Sequence, residues 1–429
     1  MKQGSSASPA SLRQIRECPG CGLLQTIPSM QPGSAAQCAR CPTTIYRSTG
    51  QRLDEALALS IAALVLLIVV SSTTLMSVQT SGISIQADLF SGPAELVRRN
   101  MSALAAVVLG VTLVAPACKL LGRIYVLAHL NGSSSPPAHL RRVFVISEVL
   151  QPWSMIEVFV FGVFVAYVKL GDVVKITLDA GVYALLGLTF VLIWADSTLD
   201  RESVWRRLDP AHPSADVASG RLTHAAGCEV CGWVHASAAN LLRCSRCHSR
   251  LHRRKPDSIG RTWALVIAAA ILYVPANLYP VLTVMQLGAG SPSTILGGVE
   301  ELIASRMYPL AALVFFASIA IPMLKLIGLS VMLVFTQTGR IGWLRDRTRL
   351  YHVVRWVGRW SMIDIFMEAL LGALVRFGNV ITIEPGIGAV AFCSVVILTM
   401  FAAETFDPRL MWDAAVPRAV PARATTQAR

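Results

Sequence analysis

Eight of the ten cysteines fall into two sets of paired C-x-x-C. Cys18 and Cys21 are followed by Cys38 and Cys41; Cys228 and Cys231 are followed by Cys244 and Cys247. Two thiolate knuckles at this separation can close a tetrahedral four-sulfur metal site. Zinc is favoured, and iron stays open because four thiolates accept either ion. Disulfides fit poorly, since the paired spacing is that of metal knuckles and the charge pattern below puts both sets in a reducing compartment. His235 and His248 lie near the second set. With four cysteines available they are expected to face solvent. Cys118 and Cys393 stand alone in apolar runs and read as small lipid-facing or packing residues.

A second kind of chemistry lies in charges embedded in apolar sequence. Trp360-Ser361-Met362-Ile363-Asp364-Ile365-Phe366 opens a long apolar run and carries a carboxylate. Trp153-Ser154-Met155-Ile156-Glu157-Val158-Phe159 repeats it 207 residues earlier. Pro322-Met323-Leu324-Lys325-Leu326 places a lysine in another apolar run, and Pro116-Ala117-Cys118-Lys119-Leu120 does so 206 residues earlier. Two near-equal offsets over unrelated local sequences mark a tandem duplication. Charge inside a bilayer is costly, so an intramembrane ionisable residue is a functional-site hypothesis by default.

Antiparallel neighbouring spans would bring each lysine and its carboxylate to similar depth. This gives the expectation of a Lys119–Glu157 pair and a Lys325–Asp364 pair. The alternative is that the lysines snorkel to the headgroups and the acids sit at the water interface. Ser318, Ser361 and Thr399 add hydroxyls near the second pair. The first half offers Thr112 and Ser154 but Leu192 in place of Thr399. Hydroxyls in membrane helices often only satisfy the carbonyl four residues back. Pro275-Ala276-Asn277-Leu278-Tyr279-Pro280 is expected to break or kink its span and expose backbone to a cavity, with Asn277 beside it; packing is the other reading. The first half has Val69-Val70-Ser71-Ser72-Thr73-Thr74 there, so the second half is favoured as the working one.

The elements that position these residues follow from composition. Of 429 residues, 54% are hydrophobic and 15% charged. Apolar runs of about 20 residues repeat along the chain, which fits a polytopic membrane protein of helices. Eight spans are expected, four per half, near 56–76, 101–129, 145–168, 180–197, 263–285, 307–335, 357–375 and 386–403. The opening 55 residues are polar and carry no cleavable signal pattern. The segments expected on one side hold 30 of the 38 Lys and Arg residues. The positive-inside rule puts that side, both termini and both cysteine modules in the cytoplasm. The net charge of +13 is therefore topology rather than nucleic-acid binding.

The expected fold is all-α and polytopic: two tandem four-helix transmembrane units, each preceded by a small zinc-ribbon or rubredoxin-like module. The boundaries read as a disordered tail 1–17, first ribbon 18–50, first unit 51–200, linker and second ribbon 201–257, second unit 258–406, and a disordered tail 407–429.

At these motifs the chain resembles the paraquat-inducible protein A family. The likeness rests on the two C-x-x-C…C-x-x-C ribbons, P-x-x-K-L, W-S-M-I-[DE]-[IV]-F, and P-A-N-x-x-P in the second half. It departs in lacking P-A-N-x-x-P in the first half. The resemblance implies a Gram-negative inner-membrane protein that works with a periplasmic MCE-domain tunnel protein and moves phospholipid between the membranes. In that reading the chain is no enzyme, and Lys325, Asp364, Ser318, Ser361 and Thr399 form a polar core. No G-x-x-x-x-G-K-[ST] pattern is present, so ATP is not its own energy source. Two other readings stay open. One is a membrane redox protein with rubredoxin-like iron centres; the other is a scaffold that anchors the tunnel protein.

Overall fold

The computed structural model describes residues 14–28, 30–50, 53–80, 83–132, 137–171, 175–209, 225–235, 242–286, 289–340, 342–374 and 381–415. Most of residues 1–17, part of the linker and the last fourteen residues lie outside them.

The first ribbon is two hairpins, β1 (Gln14–Glu17) with β2 (Leu24–Ile27) and β3 (Ala35–Gln37) with β4 (Thr44–Arg47). Then follow α1 (Leu53–Ser72), β5 (Met76–Thr80), β6 (Ile83–Ala87), α2 (Ser91–Arg98) and α3 (Ser102–Leu109). A π-helical turn, Gly110–Val114, runs into α4 (Ala115–Asn131), and α5 (His139–Leu150), α6 (Ile156–Gly171), β7 (Lys175–Leu178), α7 (Ala180–Thr198) and α8 (Arg201–Leu208) complete the half.

The second ribbon contributes β8 (Ala226–Gly227) and β9 (Val234–His235). After it come α9 (Ser258–Leu278), β10 (Leu282–Gln286), β11 (Ala289–Ser293), α10 (Ile295–Ala304) and α11 (Tyr308–Phe315). A second π-helical turn, Phe316–Ala320, leads to α12 (Ile321–Gln337), α13 (Leu344–Trp360), α14 (Ile363–Leu374), β12 (Ile381–Pro385), α15 (Ile387–Thr405) and α16 (Arg409–Ala415). The order of elements from α1 to α8 recurs from α9 to α16.

Among the described residues, seven helical stretches are long and apolar enough to cross a membrane. They are α1, α3–α4, α5–α6, α7, α9, α11–α12 and α15. The span expected over 357–375 is represented by α14, which has twelve described residues and is followed by residues outside the described set. All of α14 except Glu368 is buried. It packs on α6, where a Cβ on Gly162 would stand 2.8 Å from the Cβ of Phe366. Only a glycine permits that approach. Phe159 and Phe366 meet edge to face at 5.5 Å across the same contact.

The expectation of an all-α chain needs correction. The loops after the first spans are strands. Two three-stranded antiparallel sheets form, in the orders β6-β5-β7 and β11-β10-β12. Each draws two strands from the hairpin after a half's first helix and one from before its last long helix. Alternation such as Met76-Ser77-Val78-Gln79 marks a half-buried strand, and it is overshadowed by the stronger helical signal on either side. The tail expected to be disordered from 407 instead holds α16, with Arg409, Met411 and Trp412 buried. The expected break in α9 is not found either: the helix runs through Pro275 to Leu278, and Pro280 stands just past its end.

Both π-helical turns have a visible cause. Pro116 and Pro322 lack the N–H that would bond the carbonyls of Thr112 and Ser318. The preceding turn widens, so that Ala115 N donates to Gly110 O and Ile321 N to Phe316 O. Such bulges re-aim side chains at functional sites.

Candidate functional site

Each cysteine set converges. The four Sγ atoms of Cys18, Cys21, Cys38 and Cys41 lie within 4.8 Å of one another, as do those of Cys228, Cys231, Cys244 and Cys247. Pairs stand at 3.5 to 3.6 Å. A tetrahedral zinc with Zn–S bonds of about 2.3 Å has sulfur–sulfur edges near 3.8 Å, so the donor set fits such an ion.

The knuckles are built by the backbone. Cys18 N donates to Leu23 O and Gly22 N to Cys18 O; Cys228 N donates to Trp233 O and Gly232 N to Cys228 O. The turn requires positive φ at Gly22 and Gly232, which glycine adopts freely. His248 takes that strained position in the last knuckle and is exposed, as expected. His235 is a correction: it is buried, and its Nε2 lies 3.3 Å from Cys244 Sγ. β9 turns it inward, where it can orient the thiolate without ligating.

The ribbons are crossed. The first ribbon packs its cysteines against the second half, in a cluster with Leu329, Met332, Tyr351, Phe406 and Trp412. Thr43 Oγ1, which accepts from Cys41 Sγ, lies 2.9 Å from His352 Nε2 on α13. Arg40 stacks over Trp412, whose indole donates to Thr348. The second ribbon packs on the first half, with Phe144, Val204, Trp205 and Leu208. Arg246 bonds Glu202 of α8 and lies over Trp233. Arg16 of the first ribbon also reaches Glu202. Burial alone would raise the Glu202 carboxyl, but the guanidiniums of Arg16 and Arg246 outweigh it and hold it below the ordinary glutamate value.

Inside the apolar region the expected pairs do not form. Lys119 Nζ donates to Asp196 of α7 at 2.7 Å, and Arg123 binds the same carboxylate. Glu157 is half-buried and has no ion pair among the described residues. In the second half Asp364 accepts from Ser318 Oγ at 2.7 Å. Lys325 Nζ instead lies 3.4 Å from Gly358 O and 3.3 Å from Thr399 Oγ1. Lys119 and Lys325 are both buried within the protein, Lys325 only 1% exposed, so neither lysine snorkels.

The reason is register. Along antiparallel helices, seven residues forward on one are seven back on the other. With Ser318 facing Asp364, Lys325 faces the level of Gly358, about two turns from the acid. The structure thus brings together Ser318 with Asp364 and Lys325 with Thr399. Ser361 is fully buried beside them, its Oγ without a hydrogen-bond partner. Asn277 stays apart, its amide donating to Tyr273 O on its own helix.

Three charged residues were missed by sequence reasoning, the first being Asp196, which takes Lys119. Lys169, near the end of α6, and Glu368, one turn beyond Asp364, line a cavity of about 60 Å³ with Ser318, Asp364, Ser293 and Thr294. Spacing gave the signal for Glu368, since it shares a helix face with Asp364. Nothing in the sequence linked Lys169 to the other half.

The profile of paraquat-inducible protein A matches the chain twice, over residues 53–209 and 259–415. The chain is 32% identical over 403 residues to the intermembrane transport protein PqiA of Escherichia coli strain K12, covering 92% of this chain and 95% of that one. It is 29% identical to the lipophilic envelope-spanning tunnel protein A of the same strain, over 93% and 91%. It is 26% identical to a probable intermembrane transport protein of Haemophilus influenzae, over 93% and 96%. No solved structure matches the chain.

Proposed function

The chain belongs to the paraquat-inducible protein A family, and from that premise we infer that it is a membrane component of transport between the inner and outer membranes of a Gram-negative envelope. The names of its relatives support the transport role. In this reading the cargo is phospholipid and the partner is a periplasmic MCE-domain tunnel protein. The chain moves its cargo without chemical change.

Seven long apolar helices support a multi-pass protein. Counting α14 as the eighth span gives two four-helix units, 51–200 and 258–406, in the inner membrane, with both termini and both ribbons cytoplasmic. The ribbons, 18–50 and 201–257 with the linker, hold zinc as a structural cross-link. The eight cysteines ligate it, four per site.

One observation carries the reading of the second half as the moving part. In the first half Lys119 and Arg123 close on Asp196 as a compact ion cluster. In the second half, among the described residues, Lys325 is buried with no acid within ion-pair distance, and Asp364 is buried, accepting from the Ser318 hydroxyl and making no ion pair. Buried charges left without opposite partners are unstable as they stand. Two arrangements of α11–α12 against α14, differing in proton occupancy or contacts of these groups, would supply the open and closed states.

The test replaces Asp364 with Asn and, separately, Lys325 with Met, and assays rescue of an envelope-permeability defect. Loss of rescue at wild-type protein levels is expected. Full rescue by both variants would remove the second-half core from the mechanism.

A further inference from the structure

Lys169 and Glu368 come from different halves of the chain and open onto one cavity. Lys169 lies within electrostatic reach of Glu368 and Asp364, yet no ion pair within 4.0 Å joins the ammonium to either carboxylate. Ser293 and Thr294, from the end of β11 and the cap of α10, and Ser318 add to the polar lining, and Val314 and Phe392 give it apolar walls. A cation and an anion held apart at such a place bear desolvation with no direct contact to offset it. A ligand carrying both signs would offset both.

We propose that this cavity binds the headgroup of a zwitterionic phospholipid. The Lys169 ammonium takes the phosphate, and the Glu368 carboxylate takes the headgroup amine. The proposal deepens the transport reading and rests on it. A purely anionic headgroup satisfies Lys169 but is repelled by Glu368 and Asp364. At about 60 Å³ the space is too small for acyl chains, so a lipid would enter it by its charged end. The site is peculiar to the second half: the residue at the place of Glu368 in the first half is Phe161.

The experiment uses the full chain in nanodiscs of equal phosphatidylethanolamine and phosphatidylglycerol, with retained lipid counted after a detergent wash. Wild type is expected to enrich the ethanolamine lipid. Glu368→Gln should erase the preference, by about tenfold for a lost charged hydrogen bond, while Glu368→Asp keeps part of it. Lys169→Gln should lower retention of both lipids. Wild type should also prefer phosphatidylethanolamine to its trimethylated choline analogue, which cannot donate to a carboxylate; this arm needs no variant to fold. Equal retention of all three lipids by wild type, or an unchanged preference in Glu368→Gln, overturns the site while leaving transport standing. A wild-type protein that retains no lipid at all overturns both.

Discussion

Thr43 in the first ribbon and His352 on α13 stand 309 positions apart in sequence, yet Thr43 Oγ1 lies 2.9 Å from His352 Nε2. The same hydroxyl accepts from Cys41 Sγ, a candidate metal ligand. α13 in turn carries Gly358, whose carbonyl holds Lys325. A continuous set of contacts therefore runs from the first four-sulfur site to the lysine of the other half. Packed side chains and helices of this kind are the route that coupling between the two sites would take.

Metal loss should be felt across the crossing. Cys38→Ser with Cys41→Ser is expected to speed amide hydrogen exchange over 344–360 and leave 139–150 unchanged, whereas chelation, which empties both sites, should speed both. Cys244→Ser with Cys247→Ser should loosen 201–208 instead. Acceleration confined to the half that follows each ribbon in sequence would contradict the crossed arrangement. Metal analysis of the same samples separates colourless zinc from iron, which absorbs visibly.

Much of this was legible in the sequence. The four-sulfur sites were, because ligand spacing is local and chemically strict. The apolar helices were too, because about 20 apolar residues have few other uses. The partners of Lys119 and Lys325 were not. Depth along a span can be estimated from residue counts, but facing register depends on where Ser318 meets Asp364; there a slip of two turns separated Lys325 from the acid, and in the first half Asp196 of another helix took Lys119. Nor could the order of modules along the chain reveal that each ribbon sits on the opposite half. That choice rests on surfaces such as those of Trp205 and Trp412, whose neighbours are set in three dimensions. α16 was missed because seven residues between Pro-rich stretches carry too little periodicity.

His235 offers a direct test of the second metal site. Its imidazole lies 3.3 Å from Cys244 Sγ and is buried. Groups that orient ligands in this way are worth about 10- to 100-fold in metal affinity. His235→Phe should therefore release zinc to a chelator at lower concentration, with four cysteines still present. His248→Asn, at an exposed position whose left-handed backbone asparagine tolerates, should behave as wild type. Equal release from both variants would show the His235 contact to be incidental.

The Lys119–Asp196 contact makes a distinct prediction about stability. Lys119 is 2% exposed and Asp196 23%. Breaking a buried pair from one side leaves an uncompensated charge and costs about 3–5 kcal/mol. Asp196→Asn strands Lys119 and leaves Arg123 only Glu148, 3.9 Å away, as an acid, so it should destabilise more than Lys119→Met, which leaves Arg123 on the carboxylate. Unfolding in mild detergent, followed by loss of far-ultraviolet helicity, would rank them. If Glu157→Gln proved as harmful as Asp196→Asn, the assignment of partners would be wrong.

The last prediction concerns pH at the junction of the ribbons. Glu202 receives Arg246 from one ribbon and Arg16 from the other. Burial opposes its ionisation, but the two guanidiniums prevail and its carboxyl sits below the ordinary value. A carboxylate depressed in the folded state contributes stability above its unfolded pKa, near 4.3. That contribution is lost as pH falls from there through the lower folded value. Glu202→Gln removes the titration. The melting temperature of wild type should thus exceed that of Glu202→Gln at neutral pH, and the gap should narrow only once the pH drops below the ordinary glutamate range. Salt should narrow it less than for an exposed pair, because Glu202 and Arg246 are 5% and 1% exposed. A gap that instead closed between pH 6 and 8 would point to a histidine, with His352 the first to examine, and would take Glu202 out of its place as the anchor of both ribbons.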